Sequence, residues 1–221
     1  MKEYQKIETV FNRSLDGNHK LLEGDYRNPI VEMLADCNWR IYEKIDGTNI
    51  RVHWDGYKVE FGGRTDKAEI PGALLNLLKE HFGTPEAEEV FEQQFGDKDV
   101  IIFGEGYGKK IQNGDGYCPD GGVNFAVFDV MVNGYYLDND AIDQIAWTFG
   151  FNQVPYVGMM TLEEAVFLIK EGGASYLGIR KNYFGDNAPF EGFVARPEYG
   201  VYDKQGHRII VKIKVKDFKE G

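Results

Sequence analysis

The sequence predicts an α+β fold of antiparallel sheets flanked by helices, and two observations predict it. Short strand-like runs follow one another across glycine-containing turns, the usual junction between antiparallel neighbours. Helical segments fall between groups of strands instead of after every strand, which argues against a doubly wound parallel sheet. In 221 residues, 43% hydrophobic content with 14% aromatics is enough for a sizeable core.

The elements follow in order. Pro29 to Cys37 reads as a helix. Strand runs at Arg40–Ile45, Asn49–Trp54 and Lys58–Gly62 are separated by Asp46-Gly47 and Asp55-Gly56 turns. A helical pair covers Gly72–Phe82 and Pro85–Phe95, with Thr84 as N-cap and Pro85 in the first turn. Val100–Phe103 is wholly apolar, as expected of a central strand. The glycine-rich stretch Gly104–Gly122 reads as a loop leading into a long strand, Val123–Val132. A helix is expected from Asp138 to Phe149. Another begins at the capping box Thr161-Leu162-Glu163-Glu164. The last strands are Phe190–Ala195 and Arg208–Val215. There is no repeat, low-complexity segment or Pro/Ser linker; the length fits one large domain or two small ones, and a single domain over residues 1–221 is expected.

Charge and composition bound the function. Lys and Arg number 25 against 36 Asp and Glu, a formal net charge of −11. A nucleic-acid binder usually carries a basic footprint. Here the charge is uneven: from Lys204 to Lys219, Lys204, Arg208, Lys212, Lys214, Lys216 and Lys219 are set against Asp217 alone. Such a patch on an acidic body can hold phosphates while the body keeps the protein soluble. No apolar run approaches the roughly 18 residues of a membrane span, and the N-terminus lacks a signal-peptide stretch. Cys37 and Cys118, far apart, form neither a disulfide framework nor a zinc ribbon. A cytoplasmic, reduced setting is expected.

Five short segments carry candidate chemistry. In Glu43-Lys44-Ile45-Asp46-Gly47-Thr48-Asn49, strand alternation puts Tyr42 and Lys44 on one face and Ile41, Glu43 and Ile45 on the other. Lys44 then projects from a strand end, a reasonable mount for a nucleophile; the plainer reading is a solvated lysine beside a hairpin turn. Glu105 follows an apolar strand and is flanked by glycines that let a ligand approach the backbone. In Phe125-Ala126-Val127-Phe128-Asp129-Val130 an acid interrupts an apolar strand, and core packing alone would explain Phe128. Glu191-Gly192-Phe193-Val194 again sets a carboxylate beside a glycine. In Val211-Lys212-Ile213-Lys214-Val215, Lys212 and Lys214 share one face about 7 Å apart. A charged edge strand would look similar.

Together and in this order, these segments resemble the covalent nucleotidyltransferase superfamily of ATP-dependent ligases and mRNA-capping enzymes. The resemblance is to phage-type RNA ligases of the nick-sealing group, and it spans nearly the whole chain. Lys44-Ile45-Asp46-Gly47-Thr48-Asn49 resembles the nucleophile motif, and its Gly-Thr-Asn ending favours RNA ligase over DNA ligase. Phe103-Gly104-Glu105 is similar to the ribose-holding motif, and Phe128-Asp129 to the motif whose aromatic stacks on adenine. Glu191-Gly192 resembles the metal-associated acid motif, and Lys212-Ile213-Lys214 the phosphate-binding lysine pair. Arg64 sits where such ligases place an arginine after the nucleophile strand.

The resemblance implies an adenylation domain of the ligase/capping-enzyme type. It implies Lys44, Asp46, Arg64, Lys212 and Lys214 as catalytic residues, and Glu43, Lys44, Ile45, Glu105, Phe128, Lys212 and Lys214 as nucleotide-binding. Asn49 and Arg64 are implied for the RNA ends, and Glu191 for Mg²⁺. Two departures stand out. Nick-sealing phage ligases often carry histidine where this chain has Asp46. The sequence also ends seven residues after Lys214, leaving no room for an OB-fold or the helical C-terminal domain that related ligases append; a partner protein could supply that function.

The implied chemistry fits these residue types. Attack on the α-phosphorus of ATP requires a neutral amine, and a lysine of pKa about 10.4 is neutral in roughly one molecule in 2,500 at pH 7. A neighbouring cation disfavours the ammonium form, and Lys212, Lys214 or Mg²⁺ could serve. The same cations would neutralise phosphoryl oxygens in the transition state. Mg²⁺ needs one or two carboxylates beside the phosphates, and Arg64 can grip a phosphate bidentately. Asp46 would orient Lys44 or the ribose. The expected reaction is lysyl-AMP formation, AMP transfer to an RNA 5′-phosphate, then attack by a 3′-hydroxyl, on nicked or duplex-held ends. A GTP-using capping enzyme, a DNA ligase and a non-catalytic nucleotide- or RNA-binding module are the alternatives. The last predicts damage at Lys44, Glu105, Glu191 or the lysine pair, and these residues are intact.

Overall fold

A computed structural model describes residues 1–17, 19–118, 120–172, 174–177 and 190–218. In chain order the strands are β1 (Glu8–Thr9), β2 (Phe11–Arg13), β3 (Leu21–Tyr26), β4 (Trp39–Glu43), β5 (Thr48–Trp54), β6 (Val59–Gly62), β7 (Val100–Gly108), β8 (Val123–Val132), β9 (Tyr135–Tyr136), β10 (Asn152–Gln153), β11 (Tyr156–Met160), β12 (Gly192–Pro197) and β13 (Val211–Lys214). The α-helices are α1 (Pro29–Met33), α2 (Gly72–Phe82), α3 (Pro85–Phe95), α4 (Asn139–Thr148) and α5 (Leu162–Lys170). The chain divides into two compact units. The expected α+β class with mainly antiparallel sheets is observed, with parallel pairing at two edges, β1 with β13 and β10 with β8.

The first unit comprises Met1–Tyr4 and Asp46–Val154. Its sheet runs β10-β8-β7-β5-β6, with β9 on β8. One face is apolar: Ile50, Val52, Trp54, Val100, Ile102, Phe125, Val127 and Val130 pack with Leu74, Leu78 and Phe82 of α2, Phe91 of α3 and Ile142 of α4. The helices start where their caps dictate. Thr84 accepts from the Ala87 N–H ahead of Pro85, and Asp138 accepts from Ala141. The opposite face carries Asn49, Arg51 and His53 of β5, paired in register with Glu105, Phe103 and Ile101 of β7.

The second unit comprises Gln5–Ile45 and Pro155–Gly221. Its five-stranded sheet runs β1-β13-β12-β4-β11, and β2 pairs with β3 apart from it. Trp39, Ile41, Phe193, Ala195, Val211 and Ile213 bury one face against Leu162, Ala165, Val166 and Ile169 of α5. Thr161 and Glu164 close the expected capping box at the start of α5. With period two, Tyr42, Val194 and Lys212, aligned across three strands, belong to the other face.

Three sequence expectations change. Asp46-Gly47 is not a hairpin turn: β4 pairs with β11 and β12, whereas β5 pairs with β6 and β7. The hairpin lies at Asp55-Gly56, where Gly56 has φ 96° and Asp55 Oδ1 accepts from the Tyr57 and Lys58 amides. The strand read as Val100–Phe103 continues to Gly108, so Glu105 is a strand residue and not a turn acid. The first helix ends at Met33, short of Cys37.

Candidate nucleotidyl-transfer residues

In the second unit, Lys44 follows directly on β4, and its backbone N–H donates to the Gly192 carbonyl at 2.8 Å. Gly192 is in register with Lys214 on β13. Lys44, Gly192 and Lys214 therefore form a row across three strands, with no side chain at its centre. Gly192 has φ 141°, and an added Cβ would stand 2.0 Å from the Ile213 carbonyl oxygen. This is the close approach that requires glycine.

Glu191 lies immediately before Gly192, and its carbonyl accepts from Val215 at 2.9 Å. The two ends of its carboxylate are divided between two lysines. Lys44 Nζ donates to Oε2 at 2.6 Å, and Lys214 Nζ donates to Oε1. The side chains are 23%, 14% and 18% exposed for Lys44, Glu191 and Lys214, so water reaches all three. Two ammonium groups against one carboxylate leave this cluster net positive, as a receiver of phosphate oxygens should be. Lys212, one pleat from Lys214, is half-buried on the same face of the sheet.

Glu43 stands on the opposite face, 2% exposed. Its carboxylate accepts from Ser175 Oγ at 2.6 Å and from the Leu177 N–H at 2.7 Å. Ile45 is likewise buried. Neither Ser175 nor Leu177 belongs to a recognisable motif, so sequence reasoning missed this anchor.

The first unit carries the remaining candidates. Asp46 accepts from Asn113 Nδ2 at 2.7 Å, and its N–H donates to Tyr117 Oη at 3.2 Å. Asn49 and Glu105 are direct cross-strand neighbours, and Asn49 Oδ1 is buried with no hydrogen-bond partner among the described residues. The glycines beside Glu105 serve the core and not ligand approach, contrary to the sequence reading. A Cβ on Gly104 would come within 2.2 Å of Phe125, and one on Gly106 within 2.2 Å of Leu74.

Phe128 occupies a β-bulge. Phe103 pairs with Asp129 and Gly104 with Val127, so β8 has one extra residue at this point. The extra residue switches the pleat, which lets Phe125 and Val127 before it and Val130 after it all face the large core. Phe128 instead packs with the smaller cluster of Ile101, Phe103 and Met131. It stays half-buried. Bulges commonly re-aim a side chain next to a functional site. Arg51, fully buried on this face, donates to the Gly63 carbonyl at 2.7 Å and to Asp66 at 2.9 Å. Arg64 follows Gly63 and is exposed. Lys219, the last cation of the basic tail, lies outside the described residues.

Among the described residues no helix is long and apolar enough to cross a membrane. Nor is there a group of three or more His, Cys, Asp or Glu arranged to hold a metal ion.

A model of the RNA ligase family matches residues 38–214, from just before β4 to the end of β13. The chain belongs to the RNA ligase family. Solved structures with a similar fold include a Naegleria gruberi RNA ligase with pyrophosphate, at TM-score 0.59 and 18% identity over 97% of this chain and 62% of that one. A mutant of the same ligase with ATP and manganese matches at TM-score 0.59 and 18% identity, over 84% of this chain and 52% of that one. An apo mutant matches at TM-score 0.60 and 18% identity, over 85% and 52%. This RNA ligase family chain thus spans about half the length of most of these solved ligases. Family and fold agree with the sequence resemblance.

Proposed function

We propose that this chain carries out the nucleotidyl-transfer steps of an ATP-dependent RNA ligase, with Lys44 as the nucleophile. The observation that carries this reading is the row of Lys44, Glu191 and Lys214 around Gly192, in a chain of the RNA ligase family. Lys44 Nζ, neutral at the moment of attack, forms a bond to the α-phosphorus of ATP. The bond from that phosphorus to the bridging oxygen breaks, pyrophosphate leaves, and the Nζ proton passes to solvent. Lys212 and Lys214 meet the negative charge that builds on the phosphoryl oxygens. The resulting AMP passes to an RNA 5′-phosphate, and a 3′-hydroxyl then displaces it.

Glu191 is the proposed ligand for Mg²⁺ or a related divalent ion. A single carboxylate completed by waters and substrate phosphates suits Mg²⁺ better than an all-protein cage would, and Glu191 is water-accessible between two lysines. When bound, the ion would neutralise phosphate charge. Glu105 is proposed to bond the ribose hydroxyls and Phe128 to stack on adenine. Asp46, held by Asn113, orients the nucleophile or the ribose. Glu43 and Ile45 have buried side chains, so they can offer the nucleotide only their backbone. Asn49 and Arg64 are proposed to meet the RNA ends, Arg64 as a bidentate phosphate grip. A cytoplasmic setting with reduced cysteines is part of this reading, and so is an RNA-repair role like that of phage-type ligases.

A nicked RNA duplex with a pre-adenylylated 5′ end tests the joining reaction directly, because it needs neither ATP nor Lys44 as nucleophile. Sealing of that nick without ATP supports an RNA ligase. Failure to seal it, in a preparation that forms lysyl-AMP, would leave an adenylyltransferase that does not join RNA.

A further inference from the structure

Tyr4 belongs to none of the motifs, yet it packs against the residue proposed to meet the base. Its ring lies edge-on to Phe128 with centroids 4.9 Å apart, and it also touches Phe103 at 5.0 Å and Tyr136 at 6.3 Å. The Tyr4 hydroxyl donates to Asp129 Oδ2 at 2.6 Å. Asp129 is fully buried and is the residue after Phe128 in the bulge. The other end of the segment is fixed too, since the Met1 carbonyl accepts from Nη1 of buried Arg51 at 2.9 Å. Met1–Tyr4 thus lies on the face of the sheet that carries Asn49, Glu105 and Phe128, anchored at both ends to buried charged side chains.

A bulge takes its residue out of the regular pleat, so the direction of Phe128 depends on the side chains packed against it. A half-buried phenyl ring has more than one accessible rotamer, and an edge-on neighbour of fixed position selects among them. Only a ring already held in the stacking direction binds adenine without an ordering cost.

We propose that Met1–Tyr4 is a positioning element of the nucleotide pocket, in which the Tyr4–Asp129 hydrogen bond and the Tyr4 ring fix Phe128 for stacking on the base. This rests on the reading of Phe128 as the base-stacking aromatic. Tyr4 is a positioning residue; it acts through Phe128 and need not touch ATP.

The test measures the half-saturating ATP concentration and the maximal rate of self-adenylylation, with a thermal melt for each protein. The proteins are the wild type, Tyr4→Phe, Tyr4→Leu, Phe128→Leu and the double variant Tyr4→Leu/Phe128→Leu. Tyr4→Leu should raise the half-saturating concentration roughly five- to tenfold and Tyr4→Phe about threefold, on the scale of one lost aromatic pair or hydrogen bond. The maximal rate should stay within about twofold of wild type in both, because the reacting atoms are untouched. In the double variant the Tyr4 change should add nothing to the Phe128→Leu defect, the mark of residues acting as one unit. A merely structural Tyr4 would lower the melting temperature and leave ATP affinity alone. Unchanged half-saturation in either Tyr4 variant overturns the inference, as does full additivity in the double variant. If Tyr4→Leu does not fold, Tyr4→Phe keeps the ring volume and decides alone. Normal ATP use by Phe128→Leu is a different failure: it removes the stacking role itself, and the inference with it.

Discussion

Glu191 accepts from both lysines of the row, and its position separates chemistry from stability. Its side chain and its partners are partly exposed, and exposed ion pairs are worth about 0–1 kcal/mol to folding. In catalysis it would both place Lys44 and hold a divalent ion, a kind of loss that commonly costs about 10²–10³-fold in rate. Glu191→Gln should therefore slow self-adenylylation by about that factor while the melting temperature changes little. Single-turnover labelling with α-labelled ATP, beside a thermal melt, measures both. A melting temperature that falls while labelling stays fast would make Glu191 a structural ion-pair partner.

At the scale of elements, the site depends on how β12 meets β4 and β13. Gly192 is tied to Lys44 on one side and paired with Lys214 on the other. Gly192→Ala would place a Cβ against the Ile213 carbonyl in a backbone region that side chains avoid. It should cost about 1–3 kcal/mol of stability or more, and the displaced Glu191 should slow adenylylation as well. Urea unfolding and labelling of the same sample test the two effects together. The sequence made α2, α3 and β8 legible to the residue, because helical period and the Thr84 cap fix the helices and an apolar run broken only by Asn124 and Asp129 fixes β8. It misplaced Asp46-Gly47, since an Asp-Gly pair signals a turn locally while strand pairing is decided far along the chain. Gly104 and Gly106 concealed the continuation of β7, because their reason is contact with Phe125 and Leu74. The two-residue strands β1, β9 and β10 are too short to show a period. Lys44, Glu191 and Lys214 were legible as motif residues. Tyr4, Arg51 and the anchor of Glu43 were not, since their partners are distant in sequence and carry no local pattern.

For the molecule as a whole, the net charge of −11 opposes binding of RNA phosphates. On the proposed function, joining two RNA ends would then rely on a few cations such as Arg64 and those of the C-terminal tail. Binding through a few phosphate contacts weakens steeply with salt, because counterion release drives it. Sealing of a nicked RNA duplex should fall several-fold or more between about 50 and 200 mM salt, while self-adenylylation changes little over that range. Equal salt tolerance of the two reactions would mean that RNA is held by contacts other than these cations. The central claim is the covalent intermediate on Lys44, and the most direct measurement is of that bond. The protein is incubated with α-labelled ATP and a divalent ion, denatured, and mapped by mass spectrometry, beside Lys44→Ala and a GTP control. The account predicts an acid-labile AMP adduct on Lys44, none on the variant and none from GTP; an adduct that persists in Lys44→Ala, or no adduct on the wild type, would contradict it.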